Sequence, residues 1–245
     1  MDSWYTKEAL TERLKIFDFL KEKNFKNIQT LLKTKDCTRF QEINGKFVLV
    51  LEYIQGAEPS KTQENYKQLG EIMGTLNNFT DYTYPCLIPV DAIRPTFATD
   101  IAPKLNPPIQ EEFLTVANNL PDIDLLPNSL IHFEIMLGRN NIQKPDGTIV
   151  FLDWDEAGKG ATVLDPGYML INGFVSLDLK FDKENAKTFY SSYLATHTLT
   201  QEEKERLFDA SLFHALRYIV YDPEKRWGRI KWAIDNRKLL ESVLY

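Results

Sequence analysis

The chain has 245 residues, 43% hydrophobic and 12% aromatic, which suffices for one large domain or two small lobes around a cleft. A formal net charge of -6 and an isoelectric point near 5.3 disfavour a nucleic-acid binder, whose footprint is a basic patch, and suit cationic small substrates, although solubility alone accounts for an acidic balance. Cys37 and Cys86 are the only cysteines and are not spaced C-x-x-C. No disulfide framework or zinc site is therefore expected, and with neither a signal sequence nor an 18-residue apolar run a cytoplasmic protein away from membranes is expected.

From Thr6 the pattern is helical. Leu10, Leu14 and Phe17 share one face, and Thr6 is the candidate N-cap. The stretch Asn24 to Lys35 is ambiguous. Asn44-Gly45 then joins two strand-like runs as a type I′ hairpin turn, because both residues tolerate positive φ. The second run, Phe47 to Ile54, is almost wholly apolar and reads as a buried strand. A polar stretch after Gly56 marks the crossing from a small N-terminal lobe, 1–56, to a larger lobe, 57–245.

A helix follows from Tyr66, with Leu69, Ile72, Met73 and Leu76 on one face. Residues 80–110 are rich in proline and read as irregular. A short helix is expected at "QEEFLTVANNL", stopped by Pro121. A second hairpin turns at Pro145-Asp146-Gly147, with "TIVFLDW" as its second arm. Helices are expected over 183–196, from Thr200 where Thr200-x-x-Glu203 forms a capping box, and near 224–243. The sum is an α+β chain, with a hairpin-bearing lobe before a mainly helical lobe.

The chemistry concentrates in "SLIHFEIMLGRNNIQKPDGTIVFLDWDEAGKG", residues 129–160. Phosphoryl transfer requires a carboxylate to orient the attacking hydroxyl and an oxygen-ligand set to hold magnesium against the phosphates. Glu134 lies on the loop leading in. Asn140 and Asn141 open the first strand of the hairpin, and Asp153 and Asp155 close the second.

This segment resembles the catalytic core of the aminoglycoside phosphotransferase and choline kinase family, a branch of the protein-kinase-like fold. The matching residues are His132, Asn140, "VFLDWDEAGKG" and Asp165 in "VLDPGYML". The hinge pattern matches at Glu52-Tyr53-Ile54-Gln55-Gly56. The resemblance implies a two-lobed α+β kinase-like fold with a reduced N-terminal lobe. It implies an ATP- and magnesium-dependent phosphotransferase acting on a hydroxyl of a small molecule. In that reading Glu134 orients the hydroxyl, while Asp153 and Asn140 hold magnesium. The backbone at Glu52, Tyr53 and Ile54 holds the adenine edge, His132 braces the loop, and Asp165 is structural.

Three departures accompany the match. The family's catalytic carboxylate is an aspartate, and here it is Glu134. The family's interval from that carboxylate to the asparagine is one residue shorter than Glu134 to Asn140, so Arg139 and Asn141 also compete for the second metal position. The only glycine before the hinge is Gly45, no Val-x-x-Lys strand precedes the first helix, and the lysine's usual partner, Glu8 or Glu12, has nothing evident to pair with. The chain thus reads as starting at that helix, with a basic residue from elsewhere, a partner chain or a preceding segment completing the small lobe. The alternative is a catalytically impaired or truncated kinase-like module that binds a ligand or partner. Tyr218, Tyr221, Trp227 and Trp232 lie where the family binds its acceptor. They read as helix-packing residues, with a cation–π site for a quaternary amine as the other reading. His197 and His214 read as ordinary helix residues.

Overall fold

A computed structural model of the chain describes residues 6–85 and 90–245. Helix α1, Lys7–Glu22, starts as expected, with the Thr6 hydroxyl accepting from the Ala9 amide at 3.1 Å. Leu10, Leu14, Ile16 and Leu20 are its buried residues, and Phe17 is only partly covered. Strands β1, Gln41–Ile43, and β2, Lys46–Val48, pair antiparallel around Asn44 (φ 52°) and Gly45 (φ 73°), both left-handed as a type I′ turn requires.

The long buried strand expected over Phe47 to Ile54 does not form. β2 stops at Val48; Val50 is 56% exposed, and within this run only Ile54 is fully buried. Beyond Val48 the backbone pairs with residues 30–32 at single points: Leu32 N–H donates to the Val50 carbonyl at 2.9 Å, and Glu52 N–H to the Thr30 carbonyl at 2.8 Å. A two-stranded hairpin has no second layer to bury both faces of such a run.

Helix α2, Gln63–Asn77, is capped by Thr62 and buries the expected face. The proline-rich stretch is more helical than expected, where it is described; Cys86 lies outside the described residues. Helix α3, Val90–Thr96, runs into a π turn over Phe97–Ile101 and a 3-10 turn over Ala102–Lys104. Pro95 inside α3 lacks an amide donor and crowds the preceding turn, so the helix changes its hydrogen-bond register instead of ending. Helix α4, Pro107–Asn118, begins earlier than expected because Asn106 caps it, with prolines in the first turn where no amide partner is needed.

Four short strands follow: β3, Asn128–Ile131; β4, Asn141–Gln143; β5, Ile149–Phe151; and β6, Gly158–Ala161. They pair antiparallel as β3 with β6 and β4 with β5. The β4–β5 turn is the expected one, with Gly147 at φ 88° and Asp146 Oδ1 accepting from the Thr148 amide at 2.9 Å.

Helix α5, Leu164–Asn172, was not anticipated. Residues 164–171 are all buried, so the helix has no solvent-facing side, and nine residues are too few for its periodicity to stand out in the sequence. Helix α6, Lys183–Thr196, and α7, Gln201–Arg217, form as expected, and the Thr200–Glu203 capping box is complete. The last helical region is two helices, α8, Pro223–Asp235, and α9, Arg237–Glu241. Asn236 divides them, with its Nδ2 donating to the Trp232 carbonyl at 2.8 Å and competing with the helical ladder.

One hydrophobic core runs through the molecule, from Ile16 and Leu20 of α1 to Leu240 and Val243 near the C-terminus. Helices α2 and α6 approach closely over Gly70, where an added Cβ would stand 2.5 Å from the Phe189 carbonyl oxygen. No helix among the described residues is long and apolar enough to cross a membrane.

Candidate active site

The β4–β5 hairpin assembles the site. Its register pairs Asn141 with Phe151, and one step further Leu152 N–H donates to the Asn140 carbonyl at 2.7 Å. Asn140 and Asp153 therefore emerge at the same hairpin end, both with φ 57°. The left-handed backbone at both turns the chain out of the ladder, releasing the side chains from sheet packing. Asn140 Nδ2 then donates to the Glu134 carbonyl at 2.9 Å, fixing the incoming loop on the hairpin.

This geometry separates the three competitors for the second metal position. Asn141 is buried, its Nδ2 donates to the Met136 and Arg139 carbonyls, and its Oδ1 accepts from the Gly138 amide. It is a loop brace. Arg139 reaches back to Glu134 Oε2 at 3.4 Å and lies over the Tyr218 ring at 4.9 Å. Asn140 uses its amide nitrogen on Glu134, and its Oδ1 has no hydrogen-bond partner among the described residues.

The loop is held from behind by buried polar groups. The Asp165 carboxylate accepts from the His132 and Phe133 amides and from Asn77 Nδ2 at 2.7–3.1 Å. Tyr193 Oη in turn donates to Asn77 Oδ1 at 2.9 Å. Burial pushes Asp165 up to about 6, against the three donors that favour its charge. His132 is fully buried; its Nε2 bonds the Leu152 carbonyl at 2.8 Å, and its ring lies 4.7 Å from that of Trp154. Burial lowers its pKa to about 4, so the ring is neutral and Nε2–H is the donor. The bracing expected of His132 and Asp165 is thus visible as contacts. His214, by contrast, is packed among Phe133, Tyr168 and Phe213, and His197 bonds Asn78.

Carboxylates crowd the hairpin end. Asp153 is pushed up first by burial and then by the charges of Asp155 and Glu156. Asp155 is 64% exposed and pairs with Arg13 of α1 at 3.2 Å. Glu134 lies between two arginines, Arg139 at 3.4 Å and Arg217 at 3.5 Å, and Arg217 also grips Glu156 at 2.9 Å. Burial, followed by Glu156, raises Glu134 to about 7 although both arginines pull the other way. The sequence did not point to Arg217 or Glu156. Arg217 is the last residue of α7, distant along the chain, and Glu156 was one more acid in "DWDE". The expectation that Glu12 lacks a partner is corrected: it pairs with Lys15 at 2.6 Å on the exposed face of α1.

The predicted hinge, 52–56, stands beside this hairpin. Gly56 packs directly on β4, where a Cβ would be 2.3 Å from the Gln143 carbonyl oxygen, and Ala57 and Gln143 exchange backbone hydrogen bonds at 2.8 and 3.0 Å. Ile54 is buried, Tyr53 is 86% exposed, and Gln29 Nε2 donates to the Glu52 carbonyl at 3.1 Å. A cavity of about 320 Å³ separates Glu52, Tyr53 and Ile54 from the Lys144-Pro145-Asp146 turn. A second, of about 200 Å³, lies between α1, the apolar run at Phe47 to Leu51 and Asp153.

No protein-family model and no curated protein sequence matches the chain. Solved structures do. An aminoglycoside phosphotransferase from Alicyclobacillus acidocaldarius is similar over 99% of this chain and 83% of its own, with 13% identity and a TM-score of 0.67. A choline kinase from Cryptosporidium parvum is similar over 100% of this chain and 82% of its own, with 12% identity and a TM-score of 0.67. An amicoumacin kinase in complex with AMP-PNP, Ca2+ and amicoumacin is similar over 97% and 78%, with 13% identity and a TM-score of 0.69. The chain therefore has the α+β, protein-kinase-like fold of the aminoglycoside phosphotransferases and the choline and ethanolamine kinases, with a small N-terminal lobe.

Proposed function

We propose that the chain is an ATP- and magnesium-dependent phosphotransferase acting on a hydroxyl of a small molecule. The observation that carries this reading is the convergence of Asp153, Asn140 and Glu134 on one hairpin end, tied by the Asn140–Glu134 hydrogen bond. The residues suit magnesium, which takes one or two protein oxygens and completes its shell with phosphates and water. Asp153 is held among like charges that a cation would relieve, and Asn140 offers a free amide oxygen. Asp153 and Asn140 would hold the ion, which supplies charge neutralisation for the nucleotide phosphates.

Glu134 orients the acceptor hydroxyl and takes its proton as the oxygen attacks the γ-phosphorus; the bond to the bridging oxygen breaks and ADP leaves. A carboxylate near 7 is well matched to that proton transfer. Of Glu52, Tyr53 and Ile54, the last two would present the backbone edge for adenine, because the Glu52 N–H is already bonded to Thr30 and its carbonyl already accepts from Gln29. The missing lysine would be replaced by a basic residue from elsewhere in the chain, for which Arg13, ion-paired with Asp155 beside Asp153, is the candidate. The division at residue 56, a cytoplasmic location and the lack of a nucleic-acid or membrane partner belong to the same proposal. A partner chain or additional N-terminal segment completing the small lobe would cover the exposed run at Val48 to Val50.

A second reading, a ligand-binding module without catalysis, is favoured by one observation: Glu134 is ion-paired to Arg139 and Arg217. Turnover of γ-labelled ATP against a panel of hydroxyl compounds separates the two. Phosphorylated product lost in Glu134→Gln supports the phosphotransferase. Nucleotide binding with no product from any acceptor supports the module.

A further inference from the structure

The side chains around Glu134 bear on what charge an acceptor could carry, which rests on the phosphotransferase reading. Aromatic rings line this side of the site, and guanidinium groups already lie over them. Arg139 lies 4.9 Å and Arg217 5.4 Å from the Tyr218 ring centre, Arg217 lies 4.6 Å from that of Phe133, and Arg226 lies 5.9 Å from that of Tyr221. A quaternary amine seeking these rings would meet guanidinium groups already there and be repelled by them.

The cations also outnumber their partners. Arg139 and Arg217 share Glu134, and Arg217 also holds Glu156. Arg226 makes no ion pair among the described residues, and Arg229 is satisfied only by Asn172 Oδ1 and the Val175 carbonyl. Arg217 Nη1, Arg226 Nε and Arg229 Nε are buried without a hydrogen-bond partner. Native proteins rarely leave such donors unpaired. Tyr218 and Tyr221 stack at 6.1 Å, and this pair joins Arg139 and Arg217 on the Tyr218 ring to Arg226 on the Tyr221 ring. Arg139, 38% exposed, and Tyr221, 73% exposed, leave the cluster open to solvent.

We propose that the acceptor is a hydroxyl compound carrying an anionic group, a carboxylate or a phosphate, seated on Arg139, Arg217 and Arg226. The guanidinium fork matches such groups in shape and charge. The same anion competes with Glu134 for its arginines, which frees that carboxylate for the hydroxyl. The local charge thus runs opposite to the acidic balance of the whole chain.

The test is equilibrium titration of the full chain with glycerate, glycerol 3-phosphate, glycerol and choline, alongside a magnesium–AMP-PNP titration on the same samples. Glycerate or glycerol 3-phosphate is expected to bind about tenfold or more tightly than glycerol or choline, and to weaken roughly fivefold in Arg139→Gln and in Arg226→Gln. The preferred anion tells a carboxylate site from a phosphate site. Arg226→Gln, at the partly exposed edge, is expected to leave nucleotide affinity unchanged and so reports that the protein is folded. Choline binding as tightly as the anions overturns the proposal. So does anion binding that neither substitution weakens, and so does nucleotide binding with no anion binding at all. Anion binding without nucleotide binding supports the arginine site and overturns the phosphotransferase reading.

Discussion

In the proposed phosphotransferase, Glu134 is the residue on which activity would turn. It is held by Arg139 and Arg217, crowded by Glu156, and raised to about 7. Replacing its carboxylate with an amide removes the proton acceptor while keeping the shape. Glu134→Gln is expected to lower kcat by roughly 10²–10⁴-fold, the usual contribution of a general base, with nucleotide Kd unchanged. A variant as fast as the wild type would remove Glu134 from the chemistry. His132 makes a separate prediction about stability. Its pKa falls from 6.5 to about 4 on folding, so the unfolded chain binds more protons between those values. Its contribution is complete above 6.5 and is lost as pH falls toward 4, about 3 kcal/mol in all. Asp165 opposes it, because its raised pKa makes its contribution fade as pH rises from 3.8 through about 6. The difference in unfolding free energy between wild type and His132→Gln is therefore expected to grow with pH from 4 to 6.5. A difference independent of pH would contradict the buried neutral ring. At this scale the sequence marked Asp153, Asn140 and Glu134, because their spacing around one Gly turn is short-range. It did not mark Arg217, whose place at Glu134 depends on how α7 packs.

Among the elements, the β4–β5 hairpin and the hinge form one unit through Gly56, whose backbone lies against Gln143. Gly56→Ala forces the hinge away from β4 and is expected to destabilise the fold by about 1–3 kcal/mol. It should also weaken nucleotide binding, as read by denaturant unfolding and by titration. Thr200→Ala removes the cap of α7 and its reciprocal bond with Glu203, at a cost of about 1 kcal/mol and without an effect on the site. Elements with local signals were legible: the Thr6 and Thr200 caps follow from side-chain-to-backbone bonds within a few residues, and the turns at Gly45 and Gly147 from residues that tolerate positive φ. Those decided by tertiary contact were not. α5 is short and buried along residues 164–171, and the apolar run after Phe47 lacks a covering layer and stays largely exposed.

For the molecule as a whole, one core joins α1 to the C-terminal helices, so the hairpin, the loop before it and α1 with Arg13 meet on a common support. On this support the proposed magnesium–nucleotide site would form at Asp153. Its most direct test is calorimetric titration of ATP into the wild type and Asp153→Ala, each with and without magnesium. Wild type is expected to bind ATP only with magnesium, and Asp153→Ala to lose about tenfold or more in affinity, equivalent to ~1.4 kcal/mol. Magnesium-independent binding that survives the substitution unchanged, or no binding by the wild type, would exclude a magnesium–nucleotide site at Asp153.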